Sequence, residues 1–283
     1  MIKANPTIFK FYLAMMDSFS EYLSHKYTEI SIENPDHFKT IIIRKVVQMF
    51  HTLELLANKT QDEVSARCVL RGILDNVTTY CFIYDRDDIN DIMFRHYLYA
   101  IDGYVCFKNN VVNGIMMVGN GESQFEQQCD EAIRQFKEQL GSHPFSLLEN
   151  EVASKLTNNA NWKYLSLQNP QSVKFRDMYL LIGLNKQLSD YYQGYLSQFV
   201  HGLSFSNIPC MNPEQINNVL YESIPLADRM IQAICSTFPK KEMLQRVSRS
   251  KIIKKLHKEP DFNADDLFTF VKALIRKDRI LYV

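Results

Sequence analysis

The chain has 283 residues, enough for one large domain or two small ones with a real core. Its 32 Lys and Arg balance 32 Asp and Glu, so net charge gives no argument for nucleic acid, a membrane surface or an acidic partner. A hydrophobic share of 46% excludes disorder, and only 9 Gly and 9 Pro favour long helices over many short strands.

Apolar spacing is helical along most of the chain. Asn5-Pro6 reads as a cap followed by proline at the first helical position, and Phe9, Tyr12, Met16, Phe19 and Leu23 then share a stripe. Asn34-Pro35 repeats that start, ahead of Phe38, Ile42, Val46, Met49, Leu53 and Leu56. Thr60-Gln-Asp-Glu63 reads as a capping box, with the threonine hydroxyl taking one orphan N–H and the glutamate another. The helix it opens aligns Leu70, Leu74, Val77, Cys81 and Tyr84. Asp88 is the expected cap of a fourth helix bearing Ile92, Tyr97, Ile101 and Tyr104.

Residues 111–121 interrupt the pattern, and β-branched residues with glycine make 105–121 the one stretch where a short hairpin competes. Phe125, Cys129, Ile133, Phe136 and Leu140 resume a helix that Gly141 and Pro144 close. After a polar stretch at 157–162, helices are expected from about Ser172 and again through Leu188, Tyr192, Tyr195 and Phe199, the latter ending at Gly202. Asn212-Pro213 starts the next, in which Pro225 predicts a kink or break. A last helix is expected from Asn263.

The domain reading is a helical bundle over 1–238 followed by a small basic helical appendage over 239–283. That appendage holds twelve Lys and Arg against six Asp and Glu. Lys3, Lys10 and Asp17 interrupt the N-terminal apolar residues, so no signal peptide is expected, and no stretch has the length of a membrane span. The six cysteines, Cys68, Cys81, Cys106, Cys129, Cys210 and Cys235, form no CxxC pair. They read as free, small buried hydrophobes in a reducing cytoplasm.

Three features carry possible chemistry. Arg67, Arg71 and Asp75 recur every four residues, so on a helix they make one polar stripe beside the apolar face, which Glu63 extends by a turn. The same spacing also fits a run of surface ion pairs, each worth about 0.2–0.5 kcal/mol. His201 ends an aromatic helix in DYYQGYLSQFVHG, where it can transfer a proton near neutrality or simply complement the helix dipole. Arg249, Lys251, Lys254, Lys255 and Lys258 lie in the most basic stretch and can track phosphates or form a solvated face. No histidine pairing marks a metal site, and no motif calls for a cofactor.

Two segments taken together resemble a known group. One is Arg67, Arg71 and Asp75 on an early helix; the other is Tyr192, Tyr195, Leu196, Ser197, Phe199, Val200, His201 and Gly202, with Trp162 and FRDMYLLIGL between them. This order resembles an uncharacterised bacterial family of helical proteins, loosely similar to the HEPN (higher eukaryote and prokaryote nucleotide-binding) superfamily, over residues 40–205. The resemblance implies an all-α multi-helix bundle with a HEPN-like core, in stress, toxin–antitoxin or phage-defence settings. Ribonucleases of that superfamily cleave RNA without metal, with an Arg and a His from one R-x4-6-H motif, usually across a dimer. Here the positions ahead of His201 are Gly194, Tyr195 and Leu196, so an arginine partner comes from elsewhere, and the resemblance points to Arg71.

Two functions stay open from the sequence. The first is a non-catalytic interaction module of a bacterial stress or phage-defence system, with a protein partner. The alternative is a HEPN-type metal-independent ribonuclease or RNA-binding protein, acting as a homodimer. In it, His201 is the general acid/base, Arg71 stabilises the transition state and Asp75 orients Arg71 or fixes the histidine tautomer. Both require no membrane, and the second requires Arg71 and His201 to face one another.

Overall fold

The computed structural model describes residues 6–113, 122–202 and 213–239. About 80% of these are helical, with no strand among them, so the expected all-α class holds. The helices are α1 (Pro6–Lys26), α2 (Asp36–Leu55), α3 (Glu63–Tyr84), α4 (Ile89–Val112), α5 (Glu122–Ser142), α6 (Pro144–Leu148), α7 (Asn150–Asn158), α8 (Phe175–Leu181), α9 (Lys186–Tyr191), α10 (Ser197–Val200) and α11 (Pro213–Thr237). Two π-helical turns, Leu56–Thr60 and Tyr192–Leu196, extend α2 and join α9 to α10. The appendage beyond Pro239, with the basic residues Arg249, Lys251, Lys254, Lys255 and Lys258, lies outside the described residues.

Where the sequence reading treats 1–238 as a single bundle, the described residues cluster into two compact units. Unit 1 draws on the described residues of 6–29, 36–85 and 179–239, and unit 2 on those of 30–35 and 86–178.

In unit 1, α3 packs on α2 and α11, and α1 on α2 and α11. The expected stripes are the core: Phe9, Tyr12, Met16, Phe19 and Leu23 from α1 are buried, as are Leu70, Leu74, Val77, Cys81 and Tyr84 from α3. Leu226, Met230, Ile231 and Ile234 of α11 close it. Gly72 permits the close approach of α2 and α3, because a Cβ there would collide with the Met49 methyl. α11 runs unbroken through Pro225.

The start of α3 differs from the expected capping box. Asp62 is the cap, its side chain accepting from the Ser65 N–H at 3.0 Å. Thr60 ends the π-turn and donates its hydroxyl to the Leu56 carbonyl, while Glu63 pairs with Arg67. The extra residue of the π-turn moves Thr60 out of capping reach. Asp88 caps α4 as expected, accepting from the Asn90 N–H.

In unit 2, Tyr97 and Tyr104 meet Phe136 while Phe107 meets Phe125, so α4 and α5 run antiparallel. The described part of 105–121 is the end of α4. The one β-like pairing among the described residues is instead the bridge between Tyr164 and Ser172. Arg95 secures that segment. It is fully buried and pairs with Asp91 at 3.0 Å. It also donates to the carbonyls of Trp162 (3.1 Å), Tyr164 (2.7 Å) and Leu165 (3.2 Å), over the Tyr164 ring. Asp91 is shared with Arg86 and the Tyr164 hydroxyl, and Trp162 donates its indole N–H to Asp102.

No helix of the described residues is long and apolar enough to cross a membrane. None of the five described cysteines is disulfide-bonded; Cys81, Cys129 and Cys235 are buried, but Cys106 is exposed.

Candidate functional site

The polar stripe of α3 meets the aromatic segment 191–199 inside unit 1. Four-residue spacing puts Glu63, Arg67, Arg71 and Asp75 on one side of α3. That side faces the Tyr192–Leu196 turn and α10. A π-turn carries one extra residue relative to an α-helix and recurs at functional sites. Here it stacks Tyr191 on Tyr195 at 5.0 Å and sets Tyr195 edge-on to Phe199.

Arg67 is the centre of the cluster, 3% exposed. Its Nε donates to Glu63 at 2.7 Å, and its Nη1 donates to Glu222 at 2.8 Å and to the Tyr191 hydroxyl at 3.2 Å. The guanidinium lies 4.6 Å from the Tyr195 ring centroid and 5.2 Å from that of Phe199, within cation–π range. Burial works against its charge, but Glu222 and Glu63 more than offset this and hold it above its usual value. Burial, and then Glu222, push the Tyr191 hydroxyl up. The Tyr192 hydroxyl donates to the Glu222 carbonyl at 2.6 Å, in the turn where Pro225 removes a backbone N–H.

Arg71, one turn further on, is less enclosed, with 15% of its side chain exposed. Its Nε donates to both Asp75 oxygens at 3.2 Å and its Nη1 to the Ser197 hydroxyl at 3.2 Å. Asp75 also accepts from the Tyr179 hydroxyl at 3.0 Å, and that phenol is raised by its burial and then by Asp75. Asp75 therefore orients Arg71.

His201 follows α10, with Gly202 in the left-handed region at φ 58° behind it. Its ring is exposed, and among the described residues it has no hydrogen bond, ion pair or ring contact, with Arg71 or any other side chain. The structure thus joins Arg71 to Asp75 and to the turn that precedes His201, through Ser197. It does not join Arg71 to His201.

Glu222, Tyr191, Tyr179 and Ser197 complete the cluster; the sequence gives none of them a role in it, and only Ser197 is named there, as part of the resembling segment. Ser197 falls within the second quoted segment, Tyr191 adjoins it and Tyr179 lies in FRDMYLLIGL between the two, so a search for hydrogen-bond partners of the arginines along those stretches reaches them. Glu222 carries no local signal, being 155 residues from Arg67. Among the described residues no group of three or more His, Cys, Asp or Glu comes together as a metal site.

A buried cation held by two carboxylates and an aromatic shelf is costly to strip of any one partner, and a histidine acting as general base is ordinarily oriented by a third group. No family model, curated protein or solved structure matches the chain.

Proposed function

We propose that this protein is a non-catalytic helical interaction module, of the kind the HEPN-like resemblance associates with bacterial stress and phage defence, acting in the cytoplasm with a protein partner. The observation that supports it is the closure of the arginine stripe. Arg67 is enclosed by Glu63, Glu222 and Tyr191, and Arg71 is held by Asp75 and Ser197, while exposed His201 has, among the described residues, no side chain to set its tautomer. Such a cluster rigidifies a surface for recognition.

The test is an incubation of the full chain with single-stranded RNA in chelator. No cleavage is expected, and His201→Ala should leave the melting temperature unchanged. Metal-independent cleavage that His201→Ala or Arg71→Ala abolishes would overturn the proposal.

One observation favours the second reading, a HEPN-type ribonuclease or RNA-binding homodimer using Arg71, Asp75 and His201. Arg71 donates to Ser197, one helical turn before His201. In that reading a second copy supplies the missing partner of His201, and the basic residues 249–258 track the RNA backbone. Light scattering that gives a dimer, with salt-sensitive RNA binding, is its signature.

A further inference from the structure

Asp228 lies in α11 and is 3% exposed. Its Oδ1 accepts a long bond, 3.4 Å, from the Tyr12 hydroxyl of α1, and its Oδ2 accepts from the Gln232 amide at 2.7 Å. Both partners are neutral. The adjacent cation, Arg229, turns away to bond the Ile182 carbonyl and Asp85. Among the described residues, α2, α3 and the turn Leu56–Thr60, which also pack on α11, bring no charged or titratable side chain that acts on it. Leu226, Ala227, Met230 and Ile231 around it on the helix are buried.

A carboxylate so placed is withdrawn from solvent without a cation bonded to it, a costly state that protonation relieves. Burial accordingly pushes Asp228 up to about 7, with Tyr12, Gln232 and Arg229 pulling the other way. The folded-state value lies above the ordinary 3.8. The stabilisation is therefore complete below about pH 4 and is lost as pH rises through about 7.

We propose that Asp228 is a proton-operated latch on the contact between α1 and α11: protonated, it lets α11 seat on α1, and ionised, it draws in water and loosens that contact. The same helix delivers Glu222 to Arg67, so the latch governs how firmly the arginine cluster closes. It offers the protein a response to cytoplasmic acidification that needs no ligand.

Hydrogen exchange of the full chain at pH 6 and pH 8, corrected for intrinsic exchange chemistry, tests this. Protection of α1 amides should fall about tenfold between the two, the ratio expected for a group titrating midway. Asp228→Asn, which keeps the shape and the amide acceptor, should show equal protection at both. A carbon NMR titration of the wild-type carboxyl should share the midpoint of the protection loss, which keeps the idea testable if the variant folds poorly. Equal wild-type protection at the two pH values, the same fall in Asp228→Asn, or a carboxyl already ionised at pH 6 would each overturn it.

Discussion

Arg95 in unit 2 and Arg71 in unit 1 begin from one device, an arginine paired with an aspartate a helical turn away. They end differently. Arg95 has no exposed surface and meets three backbone carbonyls besides Asp91, with the Tyr164 ring 3.8 Å beneath it. Arg71 gains one hydroxyl and the Tyr179 ring at 5.9 Å, and its aspartate keeps 38% of its side chain exposed. The spacing supplies the first partner only. What the fold brings from 67 to 70 residues away makes Arg95 a clamp, whereas one distant hydroxyl and a more distant ring leave Arg71 partly exposed and held more loosely.

The largest effect should come from Arg95→Ala. It leaves Asp91 with Arg86 and the Tyr164 hydroxyl but strips three carbonyls of their donor, so thermal unfolding of unit 2 should lose about 3–5 kcal/mol. Arg95→Lys should recover little, because an ammonium cannot span carbonyls on two sides. A loss below 1 kcal/mol would erase the contrast with Arg71.

Arg67→Ala should rank next, at about 3 kcal/mol in denaturant titration, since Glu63 and Glu222 are left half-buried and uncompensated. Restoring much of that loss by adding Glu222→Gln would show that the stranded carboxylate, rather than lost packing, is the cost.

Asp62→Ala should remove about 1 kcal/mol as a lost cap, while Thr60→Ala stays within about 0.5 kcal/mol. Asp62 is held below the usual carboxylate value by its bonds to Ser65. Its contribution is thus present near neutrality and lost as pH falls through its lowered folded-state value. Equal effects from both variants would reinstate the capping box.

Arg71→Ala should cost about 1 kcal/mol or less, and His201→Ala nothing measurable in thermal melts. A drop of several degrees from His201→Ala would mean that its ring is packed.

Much of the fold is legible in the residues. The stripe Phe9, Tyr12, Met16, Phe19 and Leu23 is buried throughout, because a 3.6-residue period leaves one way to hide it. The stripe Arg67, Arg71 and Asp75 is equally legible as geometry. Its ranking is not: Arg67, rather than Arg71, sits at the centre, because Glu222 and Tyr191 reach Arg67. The π-turns are hidden for a different reason. Each inserts one residue into a helical period, so Thr60 reads as a cap and 191–199 as a plain helix until the register is seen.

Unit 1 is assembled from separated stretches of chain, with residues 86–178 of unit 2 falling between two of them. During synthesis this imposes an order. Arg67 leaves the ribosome 155 residues ahead of Glu222, about 8–30 s at ordinary elongation rates. Through that interval the apolar side of α3 that α11 will cover has no permanent partner, and unit 2 gains the last of its residues before α11 is made. The apolar side of α3 is thus made early and its cover, α11, late, so the core of unit 1 closes only after most of the chain has been synthesised.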